Sequence, residues 1–512
     1  MSKFLDIPIH VEQAPAKASY SSRLEAIAAP LRAMDAESVA RLFALDKTAF
    51  LLKTTLSLCA DCLAHVPAAV YELNGAVLMT KICATHGQQY AVLENDARYY
   101  RLSNKDNSGR SYTDTQTMVF PPYTDNECCG SGASCSSGSD AFWPYDFADQ
   151  RGNKSCTVLV EITNACNLSC RVCYAESGED RDRLLPLVQF KETISALIAQ
   201  KGGLDSVQIT GGEASLHPEF WTMLQWLAEH ADIKMIYVPS NGIEFSKPGV
   251  AERLVPFKHK VLVLLQFDGT DQPINQTLRN AGPERLRLRL IERLERLQIP
   301  MQLTMTLTQG LSEADIAWVV RQGKRYSNVR LVALQPAFTS GRYELDFDPM
   351  QRMTLSDCVK GVVAGLGGRV READFFPIPC SHPNCGWVTL FVRRYGYFGN
   401  IARYIDLSAV MNKVAYKTQL KDREMQSIVG TRINGLLGLI ARFARRLIRP
   451  QHVFGIAIKP FMDRHNYDQD RIVNCCHHIT NTQGQLLSFC EYNARFRAED
   501  SWQRFPSLGQ TD

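Results

Sequence analysis

Three cysteines, Cys166, Cys170 and Cys173, stand in the spacing C-x3-C-x2-C directly after a β-rich run at 157–162. Three thiolates can bind three irons of a four-iron cluster and leave the fourth iron open to a small ligand. Further polar groups recur after the next such runs. The second ends in Thr210-Gly211-Gly212-Glu213, the third in Pro239-Ser240-Asn241-Gly242, and the fourth in Gln266-Phe267-Asp268-Gly269. Glycines let a backbone approach a ligand closely, and a carboxylate such as Glu213 accepts hydrogen bonds from an ammonium. Each piece alone is weak: a lone GGE or SNG is usually a turn, and C-x3-C-x2-C could be half of a zinc site. In order, each at a strand end, they define one candidate site made of the three cysteines with Gly211, Gly212, Glu213, Ser240, Asn241, Gln266 and Asp268.

The elements that must carry these residues alternate. Six β-rich runs, at 157–162, 206–210, 234–239, 261–267, 301–307 and 329–334, are separated by amphipathic stretches such as 187–200, 219–230, 283–297 and 312–326. Repeated βα units imply a parallel sheet, and right-handed crossovers curl it toward a barrel. The expected fold class is α/β: a partial (β/α)6 TIM-like barrel whose active residues lie at the C-terminal strand ends. Composition shifts divide the chain into a helical leader (1–55), a small metal-binding domain (56–105), an irregular linker (106–155), the barrel (156–376) and a C-terminal cluster-binding domain (377–498).

Most of the sixteen cysteines cluster at short spacings. The first residues, MSKFLDIPIHVEQAP, lack the apolar run of an export signal, so such clusters read as metal ligands rather than disulfides. Cys59-x2-Cys62 and Cys83-x2-His86 form two knuckle-like turns that can close a tetrahedral site for zinc or a single rubredoxin-like iron. Near the C-terminus stand Cys380, Cys385, Cys475, Cys476 and Cys490. Their thiolates suffice for an auxiliary 4Fe-4S cluster. The preferred set is Cys380, Cys385, Cys476 and Cys490. Cys475 is nearly as good a choice as Cys476, since adjacent side chains point apart. His477 and His478 follow as substrate-facing or locally bonded groups.

The chain has 512 residues, 45% apolar and 21% charged, an ordinary globular balance for about three domains. A net charge of +4 gives no reason to expect nucleic-acid binding. No stretch reads as a membrane-spanning helix, so a cytoplasmic chain is expected. Residues 432–449, RINGLLGLIARFARRLIR, place apolar and basic residues on opposite helix faces. Such a helix either packs on the barrel or lies on the inner face of an anionic membrane.

The cysteine loop, the GGE segment and the strand-end polar groups together resemble the signature of radical S-adenosylmethionine (SAM) enzymes. The resemblance implies that Cys166, Cys170 and Cys173 hold a 4Fe-4S cluster, and that the GGE and later strand ends hold SAM. Reductive cleavage of SAM would then yield a 5′-deoxyadenosyl radical that attacks an unactivated C–H bond. A small electron donor of flavodoxin or ferredoxin type is implied. The flanking motifs SLCADCL, KICATHG, PIPCSHPNC and FCEYN narrow the likeness, over about 55–498, to a subgroup with tetraether lipid synthases and folate-dependent methyltransferases of pterin biosynthesis. One departure stands out. Where that subgroup often reads C-P-Y-D-C-G-x-C, this chain has Trp143, Phe147 and Gln150 in place of cysteines. The cluster they would hold is expected to be absent, with Cys128, Cys129 and Cys135 nearby in another spacing. The subgroup and the basic helix point to C–C coupling of lipid alkyl chains. C-methylation of a small pterin-like heterocycle is the alternative, and an iron–sulfur scaffold the non-enzymatic one, against which intact Glu213, Asn241 and Asp268 argue.

Overall fold

The computed structural model describes residues 20–101, 155–269, 272–378, 381–394, 397–401 and 450–508. Cys128, Cys129, Cys135, the 143–150 stretch, Cys380 and the 432–449 segment lie outside them.

Helices α1 (Tyr20–Ala33) and α2 (Ala36–Leu42) come first. They lead into a four-stranded antiparallel sheet in sequential order: β1 (Phe50–Leu58), β2 (His65–Leu73), β3 (Ala76–Cys83) and β4 (Gly87–Glu94). β1 thus begins inside the stretch expected as a helical leader, because all of its residues after Phe50 are buried between its neighbours. The β2–β3 hairpin turns on Asn74-Gly75, with φ of 52° and 78°, as a two-residue turn matched to strand twist requires. The short helix α3 (Ala97–Tyr100) closes this unit.

The six expected runs form parallel strands β5 (Thr157–Thr163), β7 (Leu204–Gly211), β8 (Ile233–Ser240), β9 (Val261–Gln266), β10 (Met301–Leu307) and β11 (Val329–Pro336). A two-residue ladder, β6 (Val172–Cys173) with β12 (Arg342–Tyr343), lies apart from this sheet. The crossovers carry α4 (Leu187–Lys201), α5 (Phe220–Glu229), α6 (Ile243–Ser246), α7 (Gln272–Arg279), α8 (Glu284–Arg296) and α9 (Ile316–Arg325), and α10 (Leu355–Leu366) follows β11.

The sheet extends further than the sequence indicates. β16 (Val453–Ile458) adds parallel to β11, and β17 (His477–Thr480) adds parallel to β5. Eight parallel strands therefore run in the order β17-β5-β7-β8-β9-β10-β11-β16. β14 (Trp387–Arg394) pairs antiparallel with β16 and carries β13 (Phe376–Pro377) and β15 (Tyr397–Asn400), while β18 (Leu486–Ser488) flanks β17. The region expected as a separate C-terminal domain thus contributes strands to the core sheet. Runs of four to six residues gain more by adding to an existing sheet than by pairing alone. β16 and β17 share no ladder, yet the rings of Phe461, just after β16, and His477, opening β17, lie 5.9 Å apart. The parallel run curls until its two ends face each other across an open seam.

Strand alternation separates core from cavity. In β7, Val207 and Ile209 pack on the helices while Gln208 and Thr210 turn inward. The same period places Leu303 and Met305 outward and Gln302, Thr304 and Thr306 inward on β10. Each fully buried aliphatic side chain contributes roughly 1.5–3 kcal/mol.

The N-terminal sheet docks on the segment after β16. Lys53 Nζ lies 2.9 Å from Asp468 and 3.0 Å from Asp470, all three buried. Thr55 Oγ1 donates to Asp468 at 2.8 Å, and Lys81 Nζ donates to the carbonyls of Leu58, Arg464 and His465. Leu24, Phe43 and Leu56 share a core with Tyr467, Ile472 and Phe489. Among the described residues no helix is long and apolar enough to cross a membrane.

Candidate active site and metal centres

The loop after β5 brings Cys166, Cys170 and Cys173 to one end of a cavity of about 390 Å³ inside the curled sheet. Two close approaches hold the loop. Gly212 N donates to Thr163 O and Glu213 N to Ala165 O, both at 2.9 Å, so the GGE backbone runs against the start of the loop. A Cβ on Gly211 would lie 2.1 Å from Thr163 O, and one on Gly212 2.0 Å from Ala165 O. These glycines are required by contact. On the other side β12 pairs with β6, and Arg342 donates to the carbonyls of Cys170 and Ser177 at 2.5 and 2.6 Å. Gly341, at φ 55°, permits this, since a Cβ there would meet the carbonyls of Tyr174 and Cys173.

Burial, the neighbouring Glu213 carboxylate and the other two thiols push Cys166 up to about 12. Burial also raises Cys170, opposed by the Arg279 guanidinium. Crowded thiols of this kind give up their protons when cationic iron binds between them. Three such donors, with open cavity before them, fit a 4Fe-4S cluster with one iron left for SAM.

Glu213 is almost fully buried and accepts from Ser215 Oγ (2.5 Å), Ser240 Oγ (3.0 Å) and Asn241 N (2.9 Å). It ties the end of β7 to the end of β8; burial raises its pKa, and these donors counter the rise. Asn241 donates from Nδ2 to Asn167 Oδ1 at 2.7 Å, and that nitrogen lies 3.9 Å from Cys166 Sγ. Gly211, Gly212, Glu213, Ser240, Asn241 and Gln266 all line the cavity and can contribute to a SAM site. Asp268 does not. It is fully buried and accepts from Arg279 at 2.8 and 2.9 Å, from Thr306 N at 2.9 Å and from Gln266 Nε2 at 2.6 Å, with Arg287 3.7 Å away. Two buried guanidiniums claim this carboxylate. Burial alone would raise its pKa, but Arg279 and Arg287 hold it below the usual carboxylate range.

Sequence reasoning missed those arginines. Arg279 reaches Cys170, and Arg287 donates to Asn241 O at 3.0 Å. Arg287 was detectable, because it shares its helix face with the buried Leu290, Ile291 and Leu294. A charged residue on an apolar stripe implies a buried partner.

The N-terminal quartet also converges. The ligand atoms of Cys59, Cys62, Cys83 and His86 all lie within 4.8 Å of one another. His86 Nδ1 is 3.5 Å from the sulfurs of both Cys59 and Cys83, and Cys62 Sγ is 3.9 Å from Cys83 Sγ. An ion with bonds of about 2.3 Å to sulfur sets its ligand sulfurs about 3.8 Å apart, so the set fits one tetrahedral metal. Burial opposes ionisation of Cys59, but the N–H groups of Cys62 and Asp61 outweigh it and bring the thiol down to about 7.

At the seam, Cys385, Cys475 and Cys490 come together. Burial first, then the neighbouring thiols, push Cys475 up to about 11 and Cys490 to about 12. Arg471 Nε donates to Cys385 Sγ at 3.4 Å. Cys476 points the other way and packs with Cys156 and Ile378. The structure therefore puts Cys475, not Cys476, on the side of Cys385 and Cys490, because successive residues entering a strand face opposite sides. His477 faces the cavity, whereas His478 is buried with its Nδ1 2.6 Å from Ser155 Oγ.

An α/β sheet with a cysteine loop after its first core strand, a GGE after the second and polar strand ends beyond defines a SAM-dependent iron–sulfur class. Residues 160–322 match the family model described as the radical SAM superfamily, and the chain is a radical SAM enzyme. Residues 51–95 match the HMPTM N-terminal zinc ribbon domain. The chain is 23% identical over 521 residues to 7,8-dihydro-6-hydroxymethylpterin dimethyltransferase of Methanocaldococcus jannaschii, covering 90% of this chain and 99% of that one. It is 31% identical to the mycofactocin maturase MftC of Mycobacterium tuberculosis over 42% of this chain and 54% of that one. Among solved structures, Streptococcus suis SuiB bound to S-adenosylmethionine aligns with a TM-score of 0.35 at 18% identity, over 41% of this chain and 46% of that one.

Proposed function

We propose that this radical SAM enzyme attaches a one-carbon unit to a planar nitrogen heterocycle of the pterin type, replacing a C–H bond by a C–C bond. The observation that carries the reading is the likeness to the pterin dimethyltransferase, which extends through both ribbon and core and spans nearly the whole of that relative. When bound, the cluster and SAM supply a carbon radical able to remove hydrogen from an unactivated position. The chain's own residues bind, orient and shield.

The cavity wall supports a heterocycle. Four glutamines, Gln208, Gln266, Gln302 and Gln335, line it with the aromatic rings of Tyr237, Phe338, Phe461 and Phe489. The side-chain amides of Gln208 and Gln335 have no hydrogen-bond partner among the described residues, and Gln208 is only 8% exposed. Amides between aromatic faces suit a flat ring that carries donors and acceptors on its edge. An alkyl chain would strip water from these amides and leave them unpaired, at about 1–3 kcal/mol each. The lipid-coupling alternative rests on the subgroup resemblance and residues 432–449 and gains nothing from this wall. Residues for SAM in this reading are Gly211, Gly212, Glu213, Ser240, Asn241 and Gln266; the cluster ligands are Cys166, Cys170 and Cys173. The electron comes from a low-potential flavodoxin- or ferredoxin-type donor.

The test is product mass. Reconstituted enzyme is incubated anaerobically with SAM, a reduced-folate one-carbon donor, dithionite and 7,8-dihydro-6-hydroxymethylpterin. A pterin heavier by one CH2 per transfer is expected, and methyl-labelled SAM reports whether the carbon comes from SAM. An unchanged pterin, with lipid extracts losing hydrogens as chains join, would reverse the assignment in favour of alkyl coupling.

A further inference from the structure

Lys459 stands immediately after β16, on the same C-terminal rim that carries the cysteine loop, the GGE and the polar strand ends. Its N–H donates to Leu334 O at 3.0 Å, which places it beside Gln335. Its side chain lines the cavity shared with the three loop cysteines. Among the described residues no acidic side chain pairs with it. The contrast with the other cavity cations is plain, since Arg279 and Arg287 both lie against Asp268. The cavity's one lining carboxylate among the described residues is Glu213, whose oxygens are taken by Ser215, Ser240 and Asn241. The ammonium instead sits 5.8 Å from the ring centroid of Phe461, which packs on Phe338 and Phe489. A half-buried ammonium on the cavity wall with no carboxylate partner is open to an anionic group that enters beside it. The unpartnered amides of Gln335 and Gln208 offer further donors on the same wall.

We infer that Lys459 binds an anionic oxygen group, a phosphate ester or a carboxylate, on the molecule modified in this cavity. The inference deepens the heterocycle reading and rests on it for the rest of the ligand. The preferred substrate is then an acidic derivative of the ring, and the bare hydroxymethyl compound is the weaker one.

The experiment measures equilibrium binding to reconstituted, SAM-loaded wild type, Lys459→Met and Lys459→Arg. The probes are 7,8-dihydro-6-hydroxymethylpterin, its phosphate ester, the 6-carboxylate analogue and inorganic diphosphate. Wild type should bind one acidic pterin about ten- to hundredfold more tightly than the neutral one, the worth of a charge-assisted hydrogen bond. Which acid wins identifies the group. Lys459→Met should bind neutral and acidic forms alike, and Lys459→Arg should recover part of the preference. Equal binding of all three pterins by wild type, or a preference that survives in Lys459→Met, overturns the inference and leaves the heterocycle reading standing. A changed iron content or iron–sulfur spectrum in Lys459→Met with the preference intact also overturns it, assigning Lys459 to the charge of the seam thiols. If no pterin binds, the heterocycle reading falls, and diphosphate decides: binding lost in Lys459→Met supports the anion site, and equal binding overturns it.

Discussion

Gly212→Ala should abolish SAM cleavage while leaving the chain folded. The added Cβ would sit 2.0 Å from Ala165 O and 3.0 Å from Ser177 Cβ, with backbone rather than a yielding side chain as its nearest neighbour. To relieve the clash, the strand end must lose its two hydrogen bonds to Thr163 and Ala165, and the loop carrying Cys166 must shift. A displacement near 1 Å at a reacting centre costs about a hundredfold in rate. We therefore expect 5′-deoxyadenosine formation to fall by at least about that factor, with iron lost from the loop. The far-ultraviolet circular dichroism should be unchanged. Gly202→Ala provides the contrast. That glycine is at φ 72° with nothing within 4 Å, so alanine adds only local strain of about 1 kcal/mol, and iron content and cleavage should persist. If Gly212→Ala retained wild-type iron and rate, the close approach would have no bearing on the cysteine loop.

Asp268→Asn should give the largest loss of stability. Asp268 is fully buried and balances Arg279 and Arg287, whose side chains are 9% and 1% exposed. Asparagine keeps one acceptor but leaves two buried cations without a counter-charge, and breaking such a group costs about 3–5 kcal/mol. The pH dependence follows from the sign of the shift. The folded pKa lies below the ordinary carboxylate value, so the carboxylate's contribution is complete above that ordinary value and lost only as pH falls through the lower folded one. Urea unfolding should therefore show the same deficit at pH 6 and pH 8. A deficit that disappears between these values, or none at all, would mean that the guanidiniums find other acceptors. Because Arg279 also reaches Cys170, iron retention should weaken in parallel.

Much of the fold was legible because local chemistry repeats at a fixed period. The alternation Val207-Gln208-Ile209-Thr210 displays a strand with an apolar outer face and a polar inner one. The ribbon was legible because a tetrahedral ion dictates ligand spacing. What escaped depends on partners distant in sequence. β16 and β17 are short, and only their pairing with β11 and β5 makes them part of the parallel sheet. The choice between Cys475 and Cys476 turned on which face of the chain met the seam, which spacing does not encode. Asp268 looked like a ligand-binding group because it follows a strand, but its role depends on Arg279 and Arg287, contributed by α7 and α8. Arg342 and Gly341, which brace the cysteine loop, lie far from it along the chain, and no motif joins them to it.

The loop after β5 is the part of the chain expected to hold the cluster that reacts with SAM. The direct measurement is anaerobic: reconstitute wild type and Cys166→Ala/Cys170→Ala/Cys173→Ala with iron and sulfide, count iron per chain, then assay 5′-deoxyadenosine after adding SAM and dithionite. Wild type should form it, and the variant should hold about four fewer irons and form none. Fully loaded wild type that cleaves no SAM even with pterin present, or a variant that retains its iron and cleavage, would contradict that role of the loop.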